Sequence, residues 1–298
     1  MTSTVTKHDK ELLTSIGQHQ ALTVKQLSIL SQRSFQVVRR RIRTLMKEEL
    51  IITKLHGYGR DRGRPEDLIL LTEKGAALLA DEGTLPGYIR DKAIDPLSID
   101  HLLLVNWFQI HLLQIERSIP QLSIKYLNPN LYPRAWDSSD SSLASPTNNM
   151  LGKPVEFIPD GIFSITCKEP EKKTLLFFLE VDMGTETLAS QDRNSKDIRQ
   201  KVLRYQNLFR SGNYKRYESD FDSKFNGFRL LFMVNSEARL ISLCRLAREM
   251  PPSDFIWLAN QGKMFSHGLS AKIWARGGRN EEPPQSILGP GLSCEFPL

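Results

Sequence analysis

The chain has 298 residues and 40 % hydrophobic content, more than one average domain and enough apolar side chains for real cores, so two domains are expected. No apolar stretch approaches the length of a membrane span, and the N-terminus, MTSTVTKHDKELL, lacks a signal-peptide core, which points to a cytoplasmic protein with no membrane partner. The net charge is +6, and Met1 to Gly75 holds fourteen Lys and Arg against eight Asp and Glu, a surplus equal to that of the whole chain; a basic module joined to a balanced one suggests that the first meets a polyanion, most simply double-stranded DNA.

KHDKELLTSIGQHQALT reads as a helix with Leu12, Leu13 and Ile16 on one side, ending near Gly17. Thr23 is placed to cap a short helix, VKQLSIL, which a turn at Ser31 to Ser34 separates from a third, SFQVVRRRIRTLMKEEL. There Phe35, Val38, Ile42 and Leu45 form a core stripe, and the other face presents Gln36, Arg40, Arg43 and Lys47 with Arg39 and Arg41 flanking. Three helices of this spacing predict a helix-turn-helix whose last helix enters the major groove.

LIITKLHGYGRDRGRPEDLILLTEKG then gives a strand, a basic glycine-rich loop, a strand and a helix opened by Thr72. The module resembles the winged-helix DNA-binding family, in which "LTEKG" after the second wing strand is a common ending. Arg60, Arg62 and Arg64 would offer guanidinium groups to phosphates or a minor groove. A winged helix over 1–85, a linker over 86–97, an α/β domain over 98–262 and a poorly ordered tail over 263–298 are the expected divisions.

From Ser98 a long helix carries Leu102, Val105, Phe108, Leu112 and Ile115, widened by Leu103, Trp107 and Ile110. So broad a stripe needs two packing surfaces, its own sheet and a second subunit of a homodimer. A strand, SIKYLN, precedes a polar stretch without periodicity, and then VEFIPDGIFSITC and TLLFFLEVDM form a hairpin about Pro170 or Glu171. That register sets Asp160 across from Glu180 or Asp182, so the three carboxylates share a face. Either a hard cation such as Mg²⁺ or Mn²⁺ neutralises them, or nearby Arg and Lys pair with them at the sheet edge. Cys167, Cys244 and Cys294 are too scattered for a disulfide framework or zinc ribbon, and the six histidines contain no HExxH.

A helix with Ile198, Val202, Tyr205 and Phe209 inward and Lys201 and Arg204 bordering follows, then strand, helix and strand. The order α-β-β-β-α-β, with Pro159-Asp160 ahead of Glu180-x-Asp182, resembles the PD-(D/E)xK nuclease superfamily. The third motif position, usually Lys, is Asp182 here; some members carry the lysine from the following helix, so the resemblance implies Lys201, with Lys196 and Arg204 as lesser candidates, as the residue that positions a nucleophile beside Asp160, Glu180 and Asp182. Taken with the winged helix, "IPDGIF", "FFLEVDMGTET" and "KVLRYQNLF" resemble the replication-relaxation family of plasmids and integrative elements. That resemblance implies a DNA-binding protein acting in replication, transfer or their control with other proteins of those processes, and marks Glu180, Asp182, Glu186, Arg204 and Tyr205 as its site. Two functions remain open: a regulator with a nuclease-like body, or a metal-dependent DNA endonuclease guided by the winged helix.

Overall fold

The computed structural model describes residues 5–55, 67–81, 98–127, 158–168, 172–189 and 197–289. Arg60, Arg62 and Arg64 of the wing loop, the linker over 86–97, the polar stretch before Val155 and Lys196 lie outside the described residues. The chain divides into two compact units, Met1–Ile110 and His111–Leu298.

The first unit runs α1 (Lys7–His19), β1 (Ala21–Thr23), α2 (Val24–Ser31), α3 (Phe35–Lys47), β2 (Ile51–Leu55), β3 (Asp67–Leu71) and α4 (Glu73–Asp81). Its antiparallel sheet has the order β1-β3-β2, the topology of a winged helix. Thr6 and Thr23 close capping boxes with Asp9 and Gln26, and Ser34 caps α3, so each helix start is fixed by its own sequence. Leu13, Ile16, Leu27, Val38, Ile42 and Leu45 are buried together, but Phe35, expected in that stripe, is 41 % exposed because it stands on the first turn of α3, outside the reach of α1 and α2.

The "LTEKG" ending has a steric cause. Thr72 Oγ1 donates to the Glu49 carbonyl at 2.6 Å and accepts from Gly75 N at 3.1 Å, which seats α4 against the start of β2. A Cβ on Gly75 would stand 2.1 Å from the Leu50 carbonyl oxygen, so only glycine permits this approach.

α5 (Ile99–Ser118) crosses the boundary between the units. Its first half belongs with the winged helix: Leu103 packs with Ala21 and Leu68, and Asn106 Nδ2 donates to the Ala21 carbonyl at 2.7 Å. Gln26 Nε2 donates to the Leu103 carbonyl at 3.1 Å while its Oε1 closes the α2 cap. The second packing surface at Leu103 is therefore the winged helix of the same chain.

The second unit continues with β4 (Leu122–Leu127), β5 (Gly161–Cys167), β6 (Lys173–Asp182), α6 (Ile198–Ser211), a 3-10 turn over Asn213–Tyr217, α7 (Glu218–Phe221), β7 (Phe228–Val234), α8 (Glu237–Glu249), β8 (Ile256–Asn260), α9 (Gln261–His267) and β9 (Ala275–Arg276). The six strands lie in chain order; β4, β5 and β6 are antiparallel, β6, β7 and β8 parallel, and β9 closes the edge antiparallel. The β6–β7 and β7–β8 connections are crossovers carrying α6 and α8, and both strands of each pair are buried apolar runs, as parallel strands require. Leu176 and Phe178 face α6 and α8 in one cluster with Val202, Tyr205 and Leu243, and by alternation Glu180 and Asp182 point the same way.

Two expectations change here. The tail over 263–298 is expected to be poorly ordered after Ala275, with Trp274 packed on the domain by a last strand or helix; β9 pairs with β8 at the sheet edge, and Trp274 is indeed fully buried, its indole N–H donating to the Leu269 carbonyl at 3.1 Å. Glycines at 277 and 278 take positive φ, which lets the chain turn back beneath α8; they read as disorder in the sequence yet serve a close approach. Phe209, expected inward, is 38 % exposed at the far end of α6.

Candidate functional site

In the first unit, burial of Val38, Ile42 and Leu45 turns Gln36, Arg39, Arg40, Arg43 and Lys47 outward, and all five are exposed. Arg39 lies over the Phe35 ring at 4.6 Å, which gives the start of α3 an exposed cation and an apolar edge together. Arg41 behaves differently from its neighbours. It pairs with Asp9 of α1 through both Nε, at 2.7 Å, and Nη2, a bidentate tether to a carboxylate that is 1 % exposed. Burial would raise Asp9, but the hydrogen bonds from Arg41 and Thr6 outweigh it and hold its carboxyl below the ordinary value.

In the second unit, the hairpin pairs Gly161 with Leu179, so Asp160 arrives opposite Glu180. Asp160 Oδ2 accepts from Val181 N at 2.7 Å, which anchors it at the turn into β5. Glu180 is 2 % exposed; its Oε1 accepts from the Tyr205 hydroxyl at 2.6 Å and its Oε2 from Lys201 Nζ at 3.1 Å. Lys201 and Tyr205 are four residues apart on α6 and so share a face, and Lys201 also reaches Glu186 Oε1 at 2.8 Å. The loop carrying Glu186 is held there by Ile198 N and Arg199 N, which donate to the Thr187 and Leu188 carbonyls.

Burial pushes Glu180 up to about 7, opposed by the Lys201 charge and assisted by Asp160. Burial alone would lower Lys201, but Glu180 and Glu186 reverse that and hold it raised, firmly protonated. Tyr205 is raised well above its ordinary value by burial and by Glu180, so its hydroxyl stays a donor. Arg204, on the neighbouring flank of α6, is lowered by burial.

Asp182 goes elsewhere. It is 2 % exposed, pairs with Arg239 Nε of α8 at 2.6 Å, and accepts from Gly184 N at 2.7 Å; Arg239 also donates to the Glu186 carbonyl at 2.5 Å. The three carboxylates therefore share a strand end and a face without meeting at one point. A hard dication needs several oxygens converging on it, and among the described residues no three His, Cys, Asp or Glu side chains are grouped to hold one. As it stands, Glu180 is paired with the ammonium of Lys201 and Asp182 with the guanidinium of Arg239.

Arg239 escaped the sequence reading. It sits in the first turn of α8, where a cation opposes the helix dipole, and that misfit is the one signal that it serves a distant carboxylate. Parallel pairing of Asp182 with Val234 brings the start of α8 to it, and such pairing is not legible in a single sequence.

A family model described as replication-relaxation matches residues 13–223, a span that includes α3, Asp160, Glu180, Lys201 and Tyr205. The chain belongs to the replication-relaxation family. Arg239, the partner of Asp182, lies beyond the matched span. No curated protein matches the chain. Among solved structures, a MarR family transcriptional regulator from Silicibacter pomeroyi DSS is similar at 19 % identity over 39 % of this chain and 74 % of that one, with a TM-score of 0.26.

Proposed function

We propose that this replication-relaxation protein is a DNA-binding factor acting in replication or transfer of a plasmid or integrative element, with α3 as the element that reads the duplex. The carrying observation is the division of α3 into a buried apolar face and an exposed face of Gln36, Arg39, Arg40, Arg43 and Lys47. The cations meet phosphates, and Gln36 with Arg39 at the start of the helix are placed for base edges. The family match supports the setting. In the second unit the acids are held by Lys201 and Arg239, which favours a body that regulates or positions over one that cleaves.

The test is duplex binding by Arg40→Ala with Arg43→Ala across a salt series. Losing two phosphate contacts lowers the slope of log K against log salt by about 1.8, at roughly 0.9 per contact. An unchanged affinity and slope would remove α3 from the interface.

A second reading, an endonuclease using Mg²⁺ or Mn²⁺, rests on Asp160 standing beside Glu180 with Lys201 at 3.1 Å from that carboxylate. Supercoiled plasmid nicked by the wild type in Mg²⁺ or Mn²⁺ and left intact by Asp160→Asn with Glu180→Gln would establish it; retardation by both without nicking favours the regulator.

A further inference from the structure

The parallel sheet has a second distinctive end. Where β6 and β7 begin, an open cleft of about 690 Å³ is lined by Lys172, Lys173, Lys224 and Arg276 and by the rings of Phe209 and Phe255. That volume lies within the ordinary range for ligand sites, roughly 300 to 1,000 Å³. Lys173 and Glu180 are seven residues apart on β6, about 23 Å at roughly 3.3 Å per residue, so the cleft is separate from the acidic site.

Its chemistry is basic and aromatic. Asp254 is the acidic lining residue among those described, and it is already engaged by Arg279 at 2.8 Å and Arg276 at 4.0 Å. Lys224 pairs with Glu218 at 2.7 Å, but its side chain is 91 % exposed, so that pair is screened and readily exchanged for a phosphate. Phe209 stacks with Phe255 at 5.4 Å, planes 21° apart, and with Tyr214 at 6.0 Å, planes 28° apart, yet keeps 38 % exposure, so part of its ring remains open to the cleft. Gly227 lies beneath it: a Cβ there would approach the Phe209 ring to 3.2 Å. Arg229 stacks on Trp257 at 4.5 Å and donates to the Ile287 carbonyl at 2.7 Å, which makes it a fixed wall rather than a mobile arm.

The exposed part of the Phe209 ring, with half-buried Phe255 beside it and Lys172, Lys173 and Lys224 along the same cleft, matches the two elements of single-strand recognition, base stacking and backbone charge. A duplex keeps its base faces stacked internally and cannot use Phe209. We propose that this cleft is a second nucleic-acid site that takes a single-stranded DNA segment, its phosphates on Lys172, Lys173 and Lys224 and a base on Phe209 and Phe255. It works independently of α3, so the protein holds duplex and single strand through different surfaces.

The experiment uses the full chain and a fluorescein-labelled dT15, read by anisotropy, beside a labelled duplex. Replacing Lys172, Lys173 and Lys224 together by Gln is expected to weaken dT15 binding at least tenfold and leave duplex affinity within twofold. Phe209→Leu is expected to weaken dT15 by about fivefold or more, from a stacking contribution of roughly 1 to 3 kcal/mol per base. Arg40→Ala with Arg43→Ala should do the reverse, losing duplex and keeping dT15, so failure of the α3 reading and failure of the cleft are separate results. The proposal is overturned if the lysine triple variant binds dT15 as the wild type does, or if the α3 variant loses dT15 and duplex alike. It is also overturned if thymidine monophosphate displaces dT15 as well as unlabelled dT15 does, since the cleft would then be a free-nucleotide site.

Discussion

Glu180→Gln should stabilise the second unit, and by an amount set by pH. Burial lifts Glu180 from its ordinary 4.5 to about 7 in the folded protein. Below 4.5 the carboxyl is protonated whether the chain is folded or not, and it contributes nothing. As pH rises to about 7 the unfolded chain releases the proton while the folded chain retains it, so stability falls through that window and levels off above it. The full penalty is about 3 kcal/mol, from 1.36 kcal/mol per unit. Glutamine reproduces the neutral carboxyl and keeps an oxygen for the Tyr205 hydroxyl, so the variant should match the wild type near the ordinary glutamate value and exceed it by about 3 kcal/mol above the folded one. Urea unfolding followed by Trp257 and Trp274 fluorescence at a series of pH values measures this, and the difference between the two proteins cancels every titration they share. A gap that is constant with pH, or a less stable Gln variant in mild alkali, would refute the assignment of Glu180 as a buried acid retained against its own solvation.

Lys201→Met removes the charge that opposes the rise of Glu180, so the Glu180 carboxyl should titrate above about 7 in a side-chain carbonyl NMR series; an unmoved midpoint would show that Lys201 does not sense it. Arg41→Ala strands the buried Asp9 carboxylate and should cost about 2 kcal/mol of winged-helix stability at neutral pH. Because Asp9 is held below 3.8, that contribution is present above 3.8 and is lost as pH falls through the folded value, so the urea midpoints of the two proteins should converge in acid. Gly75→Ala places a Cβ 2.1 Å from the Leu50 carbonyl oxygen, and the backbone must move; a loss of about 2 kcal/mol or more is expected in urea unfolding of the first unit followed by Trp107 fluorescence, and an unchanged midpoint would show that α4 is not seated there.

The winged helix was legible because its signals are local. Thr23 and Gln26 are three residues apart, and Val38, Ile42 and Leu45 repeat at the helical period, so neighbours in sequence carried the information. The Asp160–Glu180 juxtaposition was also legible, since a hairpin fixes register from its turn. What could not be read was the fate of Asp182. Its partner Arg239 lies 57 residues away on a helix placed by parallel pairing, and crossovers leave no register in the sequence. The same limit explains the last segment: glycines and prolines after Ala275 suggest a loose end, while Trp274 reads as packed on the domain without its partners being legible, because the strand edge and the pocket for the indole come from β8, α8 and the chain's own return.

The strand ends of the second unit also give it an electrical polarity. Asp160, Glu180, Asp182 and Glu186 stand at the outgoing end of β6 with Lys201 and Arg239 among them, while Lys172, Lys173, Lys224 and Arg276 stand at the incoming end with Asp254. A phosphodiester chain near this unit is drawn more strongly to the incoming end, where the cations are in excess. The two ends of one sheet thus differ in charge: the cations at the incoming end outnumber Asp254, while at the outgoing end the acids are matched in part by Lys201 and Arg239.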